Sequence, residues 1–127
     1  MNPKPHRPDK RSGPARLARA FLSTWRGFHA AWREEEAFRQ ECLLAVVVVP
    51  LGLWLGTDGV ERALLVGPML FVLAIELLNS AVETTVDRIG LERHPLSGLA
   101  KELGSAAVFV AFSLLALNWI LVLAWPR

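Results

Sequence analysis

Glu76, Asn79, Ser80, Glu83 and Asp87 stand at offsets of zero, three, four, seven and eleven within and just beyond an otherwise apolar stretch, Ala63 to Val86. At about 100° per residue these offsets fall on one narrow arc of a helix. A carboxylate turned toward lipid would cost at least about 2.5 kcal/mol, so this arc must face protein or a wet cavity. Seven residues separate Glu76 from Glu83, or about 10 Å along a helix axis. That separation puts Glu83 and Asp87 near water and Glu76 near the acyl chains.

A second acidic group, Glu34, Glu35, Glu36 and Glu41, comes where an amphipathic stretch gives way to an apolar one. Glu35 continues the line of Trp32 and Phe28, which points it toward a helix bundle. A third group, Lys101 and Glu102, precedes Ser105 by one turn and lies beside Gly104, Ala106 and Ala107, small residues that permit close helix approach. Two or more helices thus bring carboxylates and a lysine to one depth.

Such a set suits phosphoryl transfer. That reaction needs metal ions on the phosphates, a cation against developing charge, and a carboxylate to orient or deprotonate the attacking hydroxyl. Oxygen ligands favour magnesium. Neither the Gly-x-x-x-x-Gly-Lys-Ser/Thr loop nor a Gly-x-Gly-x-x-Gly loop is present, so a nucleotide would be held without either cradle. From spacing alone the same residues equally fit hydrogen bonds between helices in a non-enzymatic membrane subunit, such as an assembly factor or an ion-conducting bundle.

The elements that must position these groups follow from composition. The chain has 127 residues, 53% hydrophobic and 20% charged, with mean hydropathy +0.35, and is expected to form one domain. Its net charge of +2 gives no basis for a nucleic-acid partner, and none is expected. Cys42 is the lone cysteine, read as a small apolar residue at the edge of a span.

Residues 1–14, with four prolines among basic residues, are expected to form a flexible basic tail, leaving 15–127 as the folded domain. Leu17, Phe21, Trp25, Phe28 and Trp32 then recur at helical spacing, with Arg16, Arg19, Arg26 and Arg33 opposite. This predicts a surface helix over about 15–36, rings toward the bilayer and guanidiniums toward headgroups. Three spans are expected at about 38–57, 62–86 and 103–125, separated by Gly56-Thr57-Asp58-Gly59 and by Gly90 with Pro95. Twelve of the fourteen Lys and Arg residues fall on one side if the N-terminus is cytoplasmic, leaving Arg62 and Arg127 outside. The fold class is therefore an all-α membrane protein, N-in and C-out. His94, with no other histidine near it in sequence, reads first as a loop residue.

The stretches Glu36-Ala-Phe-Arg-Gln-Glu41, Glu76-Leu-Leu-Asn-Ser-Ala-Val-Glu83, Val86-Asp-Arg-Ile-Gly90 and Ala100-Lys-Glu-Leu-Gly-Ser-Ala-Ala-Val108 carry a resemblance. In order and spacing they resemble the bacterial integral-membrane diacylglycerol kinases, from about Arg16 to the end of the chain. The resemblance implies a homotrimer in the bacterial inner membrane, with active sites between subunits at the cytoplasmic face. It implies transfer of the ATP γ-phosphoryl group to diacylglycerol, giving phosphatidic acid, with magnesium as cofactor. Related small kinases act on undecaprenol, and that substrate remains the rival expectation.

By the same resemblance Glu76 is the general base, supported by Asn79 and Asp87, and Glu35 and Glu83 are the ligands of magnesium and the nucleotide phosphates. Lys101 would meet the phosphates. Arg16, Thr24, Glu92, Arg93, His94 and Glu102 would line the nucleotide side, although the family usually has Asp where this chain has Glu102. The lipid side would draw on Arg16, Trp25, Arg26 and Glu76, on the run Ala37, Phe38, Arg39, Gln40 and Glu41, and on Ser105.

Overall fold

Turn and capping residues set the helix ends. The computed structural model describes residues 13–125, so the expected tail lies outside the described residues except for Gly13 and Pro14, as does Arg127. Those two residues open the first helix, where a proline nitrogen has no hydrogen bond to lose. Four helices follow: α1 (Gly13–Glu34), α2 (Glu36–Leu55), α3 (Gly59–Ile89) and α4 (Pro95–Ala124).

The α2–α3 turn is capped from both sides. Asp58 accepts the Glu61 N–H at 2.9 Å, while the Glu61 carboxylate accepts the N–H and the hydroxyl of Thr57, each at 2.8 Å. Arg62 reaches back to the Leu53 carbonyl at 3.0 Å, near the end of α2. Gly56 makes room for this: a Cβ there would lie 2.9 Å from the Arg62 nitrogen. At the next turn His94 caps α4, its Nδ1 accepting the Leu96 N–H at 3.1 Å, with Pro95 in the first helical position.

The surface helix is shorter at its end than its pattern predicts. It stops at Glu34, and Glu35, expected to continue the α1 face, is instead the single extended residue (φ −109°, ψ 107°) between α1 and α2. Arg39 secures this corner by donating to the Trp32 and Arg33 carbonyls at 2.9 and 3.1 Å, a cation on the exposed C-terminal carbonyls of α1. Across it the Phe28 and Phe38 rings stack at 6.5 Å.

Helices α2, α3 and α4 are apolar and contain 20, 31 and 30 residues. At 1.5 Å per residue they measure about 30, 47 and 45 Å, against a hydrocarbon core of about 30 Å. The first span gains its length from Glu36 to Glu41, and α4 begins at Pro95 rather than near 103, which leaves about two turns available to project from the bilayer. Helix α3 is central, packed on α4 and α2 around Met69, Val72, Ala111 and Leu115. Large side chains such as Trp54, Phe109 and Val46 stay exposed, as suits a surface meeting lipid or another protein chain.

One polar feature sits at the opposite end of α3 from the acidic stripe. Pro68 lies inside α3 and has no N–H for the Leu64 carbonyl four residues earlier. Asn118 of α4 donates its amide to that carbonyl at 3.1 Å, and Trp119 donates its indole N–H to the Leu65 carbonyl at 3.0 Å. A neighbouring helix thus replaces the bond that proline removes.

Candidate active site

The acidic arc of α3 is divided among its neighbours. Glu76 is buried, 5% exposed, and Glu41 of α2 is equally buried at 6%. Each lies within electrostatic reach of the other, and Glu41 Oε2 has no hydrogen-bond partner. Two neighbouring buried carboxylates, one of them with an unpartnered oxygen, are costly for folding, which makes them candidates for groups retained for chemistry. Glu76 is also within reach of Glu83 and of Glu35 at the α1–α2 corner.

One turn nearer the α3–α4 loop, Asn79 donates to Glu83 Oε1 at a long 3.4 Å, and its Oδ1 is buried without a partner. At the end of α3, Asp87 forms a 2.8 Å ion pair with Lys101 of α4. Both partners are about half exposed, so the pair sits at the aqueous mouth and is worth little as stability.

Three cavities surround this ladder. The first, of about 560 Å³, brings Asp87, Glu92, Arg93, His94 and Lys101 together under the α3–α4 loop. Four residues expected on the nucleotide side therefore share one space. Gly90 shapes it, because a Cβ there would collide with the Glu92 carboxylate. The second, of about 380 Å³, lies between α1 and α3, where Thr24, Glu34 and Glu35 face Ser80 and Thr84. Glu83 is half-buried and lies along α3 between Ser80 and Asp87, that is, between the two spaces.

The third cavity, of about 410 Å³, is apolar and lined by Trp25, Phe28, His29, Trp32, Phe38, Cys42 and Leu73. Trp25 and Phe38 were expected on the lipid side. Phe28, Trp32 and Cys42 were not, although the aromatic stripe of α1 was the available signal: its rings close over α2 as well as facing outward. Of the other lipid-side candidates, Arg26 lies in a groove with Arg33 and Glu34, and Gln40 donates to Glu36 Oε1 at 3.2 Å. Arg39 is engaged in capping α1. Ala37 is exposed, as are Arg16, Glu102 and Ser105, and none of these four lines the three cavities. Thr24 lines the α1–α3 cavity while its hydroxyl donates to Ala20 O at 2.8 Å.

Among the described residues no three His, Cys, Asp or Glu side chains are arranged to hold a metal ion by themselves. Magnesium does not require that: it is commonly held by one or two carboxylates, with phosphate oxygens and water completing the octahedron. Glu35 and Glu83, each within electrostatic reach of Glu76, are carboxylates of the kind that donor set uses.

Comparison with known proteins covers most of the chain. The sequence model of the family described as prokaryotic diacylglycerol kinase matches residues 23–123. A diacylglycerol kinase of Haemophilus influenzae is 46% identical over 110 residues, covering 87% of this chain and 93% of that protein. The diacylglycerol kinase of Escherichia coli K12 is 43% identical over 112 residues, covering 88% and 92%. That of Pseudomonas aeruginosa is 46% identical over 123 residues, covering 97% and 98%. The chain belongs to the prokaryotic diacylglycerol kinase family.

Proposed function

We propose that this chain phosphorylates diacylglycerol with ATP, giving phosphatidic acid and ADP, at the cytoplasmic face of the bacterial inner membrane. The observation that carries the reading is the polar ladder of α3, which runs from buried Glu76 through Asn79 and Glu83 to the Asp87–Lys101 pair at a water-facing cavity. A lipid hydroxyl reaches the buried end from the bilayer, and a nucleotide reaches the open end from water.

Glu76 takes the proton of the lipid hydroxyl as its oxygen attacks the γ-phosphorus. The bond from that phosphorus to the β–γ bridging oxygen breaks, and ADP leaves with the electron pair. Burial of Glu76 excludes water, which would otherwise compete as the acceptor. Lys101 leaves Asp87 to meet phosphate oxygens, and Arg93 adds a second cation from the same cavity. Glu35 and Glu83 would hold magnesium, which when bound neutralises phosphate charge.

The assembly we favour is a homotrimer, N-in and C-out. The positions of Arg16, Glu102 and Ser105, outside the three cavities described, favour a site completed by a neighbouring copy. Twelve basic residues on the N-terminal side of the membrane favour the orientation. Purified protein in detergent micelles with magnesium, ATP and either diacylglycerol or undecaprenol tests the assignment. Phosphatidic acid is the expected product, and preferential phosphorylation of undecaprenol, or transfer to neither lipid, overturns it. For the orientation, Asp58→Cys in a Cys42→Ser background should react with an impermeant thiol reagent from outside intact cells. Reaction only after permeabilisation reverses the topology.

A further inference from the structure

Gly104 lies inside α4, where glycine costs about 1 kcal/mol relative to alanine, so its presence calls for a local reason. Gly27, Gly67 and Gly98, also inside helices, have open space where a Cβ would be, and at Gly52 of α2 a Cβ would sit tightly, 3.0 Å from Leu65 Cβ, without overlapping a polar atom. At Gly104 a Cβ would overlap the Oδ1 of Asn79 and stand 3.2 Å from its Cγ. Asn79 therefore lies directly on the bare backbone of α4.

The amide has a defined orientation: its NH2 group faces the Glu83 carboxylate and donates to Oε1 at 3.4 Å. The oxygen is then turned toward Gly104, where it is buried and receives no hydrogen bond. Asn79 thus has one end on a carboxylate and the other, unsatisfied, against the bare backbone of α4.

We propose that Gly104 is a positioning residue for phosphoryl transfer: its missing side chain lets Asn79 lie flat between α3 and α4, from where Asn79 orients the Glu83 carboxylate toward the nucleotide phosphates. The inference rests on the reading of Glu83 as a magnesium and phosphate ligand. Gly104 touches no substrate and acts through two side chains. A β-carbon at 104 pushes Asn79 off α4, breaks the long contact to Glu83, and frees that carboxylate to rotate.

Binding of magnesium with a non-hydrolysable ATP analogue, measured by isothermal titration on full-length protein in detergent, tests this without turnover. Outer-shell partners of a ligand carboxylate typically contribute 10- to 100-fold, so Gly104→Ala should weaken analogue binding about tenfold and raise the KM for ATP. The KM for diacylglycerol should stay unchanged. Gly67→Ala, placed where a Cβ meets nothing within 4 Å, should bind as wild type. In an Asn79→Ala background the collision is gone, and Gly104→Ala should add no further loss. If Gly104→Ala alone does not assemble, the double variant should assemble and bind like Asn79→Ala. Wild-type binding by Gly104→Ala, a loss that adds fully to that of Asn79→Ala, or a double variant that also fails to assemble overturns the proposal. Glu83→Gln separates the two levels: if it binds the analogue as wild type, the reading of Glu83 fails, and if it alone weakens binding, only the role of Gly104 fails.

Discussion

The two ends of the α3–α4 pair handle buried polarity in opposite ways. At the end formed by Leu64, Leu65, Asn118 and Trp119, each side-chain donor is matched to a backbone carbonyl at 3.0–3.1 Å. At the end that carries the acidic stripe, Asn79 Oδ1 and, on the adjoining α2, Glu41 Oε2 are buried with nothing to accept, and Lys101 is held by an exposed ion pair. The first end is a tie that gains stability from completeness. The second is unfinished within one chain, which is the expected state of a surface that awaits substrate. Polar residues in membrane helices are therefore told apart by whether their partners are already present.

That contrast predicts opposite profiles for substitutions at the two ends. The largest effect is expected for Glu76→Gln, which should cut kcat by about 10²–10⁴-fold while leaving the assembly intact by size-exclusion chromatography. Near-normal turnover would place the base elsewhere. Lys101→Met should raise the KM for ATP and lower kcat, together by a factor of roughly 10–100, with little change in thermal midpoint because the Asp87 pair is exposed. A large loss of stability would make Lys101 part of the tie rather than the site. Glu41→Gln removes one of two neighbouring buried carboxylates. It should raise the denaturation midpoint, by about 1 kcal/mol in stability, while lowering activity, the trade expected where function holds a folding cost in place. A lower midpoint would show that Glu41 has a stabilising partner across a subunit boundary.

The smallest effect belongs to the tie. Asn118→Leu should destabilise by about 0.6–1.7 kcal/mol in a detergent unfolding assay, with specific activity per folded protein unchanged. In a Pro68→Ala background the helix regains its own donor for Leu64, and the same substitution should cost less. Equal costs in both backgrounds would break the link between the two residues.

Much of this architecture was legible in the sequence. Helix content, the two turns at Gly56-Thr57-Asp58-Gly59 and Gly90 to Pro95, and the arc from Glu76 to Asp87 all follow from local rules of period and turn chemistry. The corner at Glu35 does not. Three successive glutamates have no helix-breaking residue among them, and the break comes from tertiary packing. Phe28 and Phe38 would be about 15 Å apart along an unbroken helix, yet their rings stack at 6.5 Å. The capping use of Arg39 and the early start of α4 escaped for the same reason, since both depend on where a neighbouring segment ends. Within the site, Glu92, Arg93, His94 and Lys101 share one cavity with Asp87, whereas Arg16, Thr24 and Glu102, which the resemblance places on the same nucleotide side, do not line it, and the close seat of Asn79 on Gly104 is visible only in three dimensions.

The bond between Asn118 and Leu64 also has a place in time. During synthesis α3 emerges before α4, and until α4 arrives the Leu64 carbonyl has no donor from its own helix, in a solvent that offers none. The arriving helix brings the missing donor at one position, and sliding it by a turn would leave the carbonyl empty again. A proline that weakens α3 by itself thus becomes a register mark for the helix that follows it.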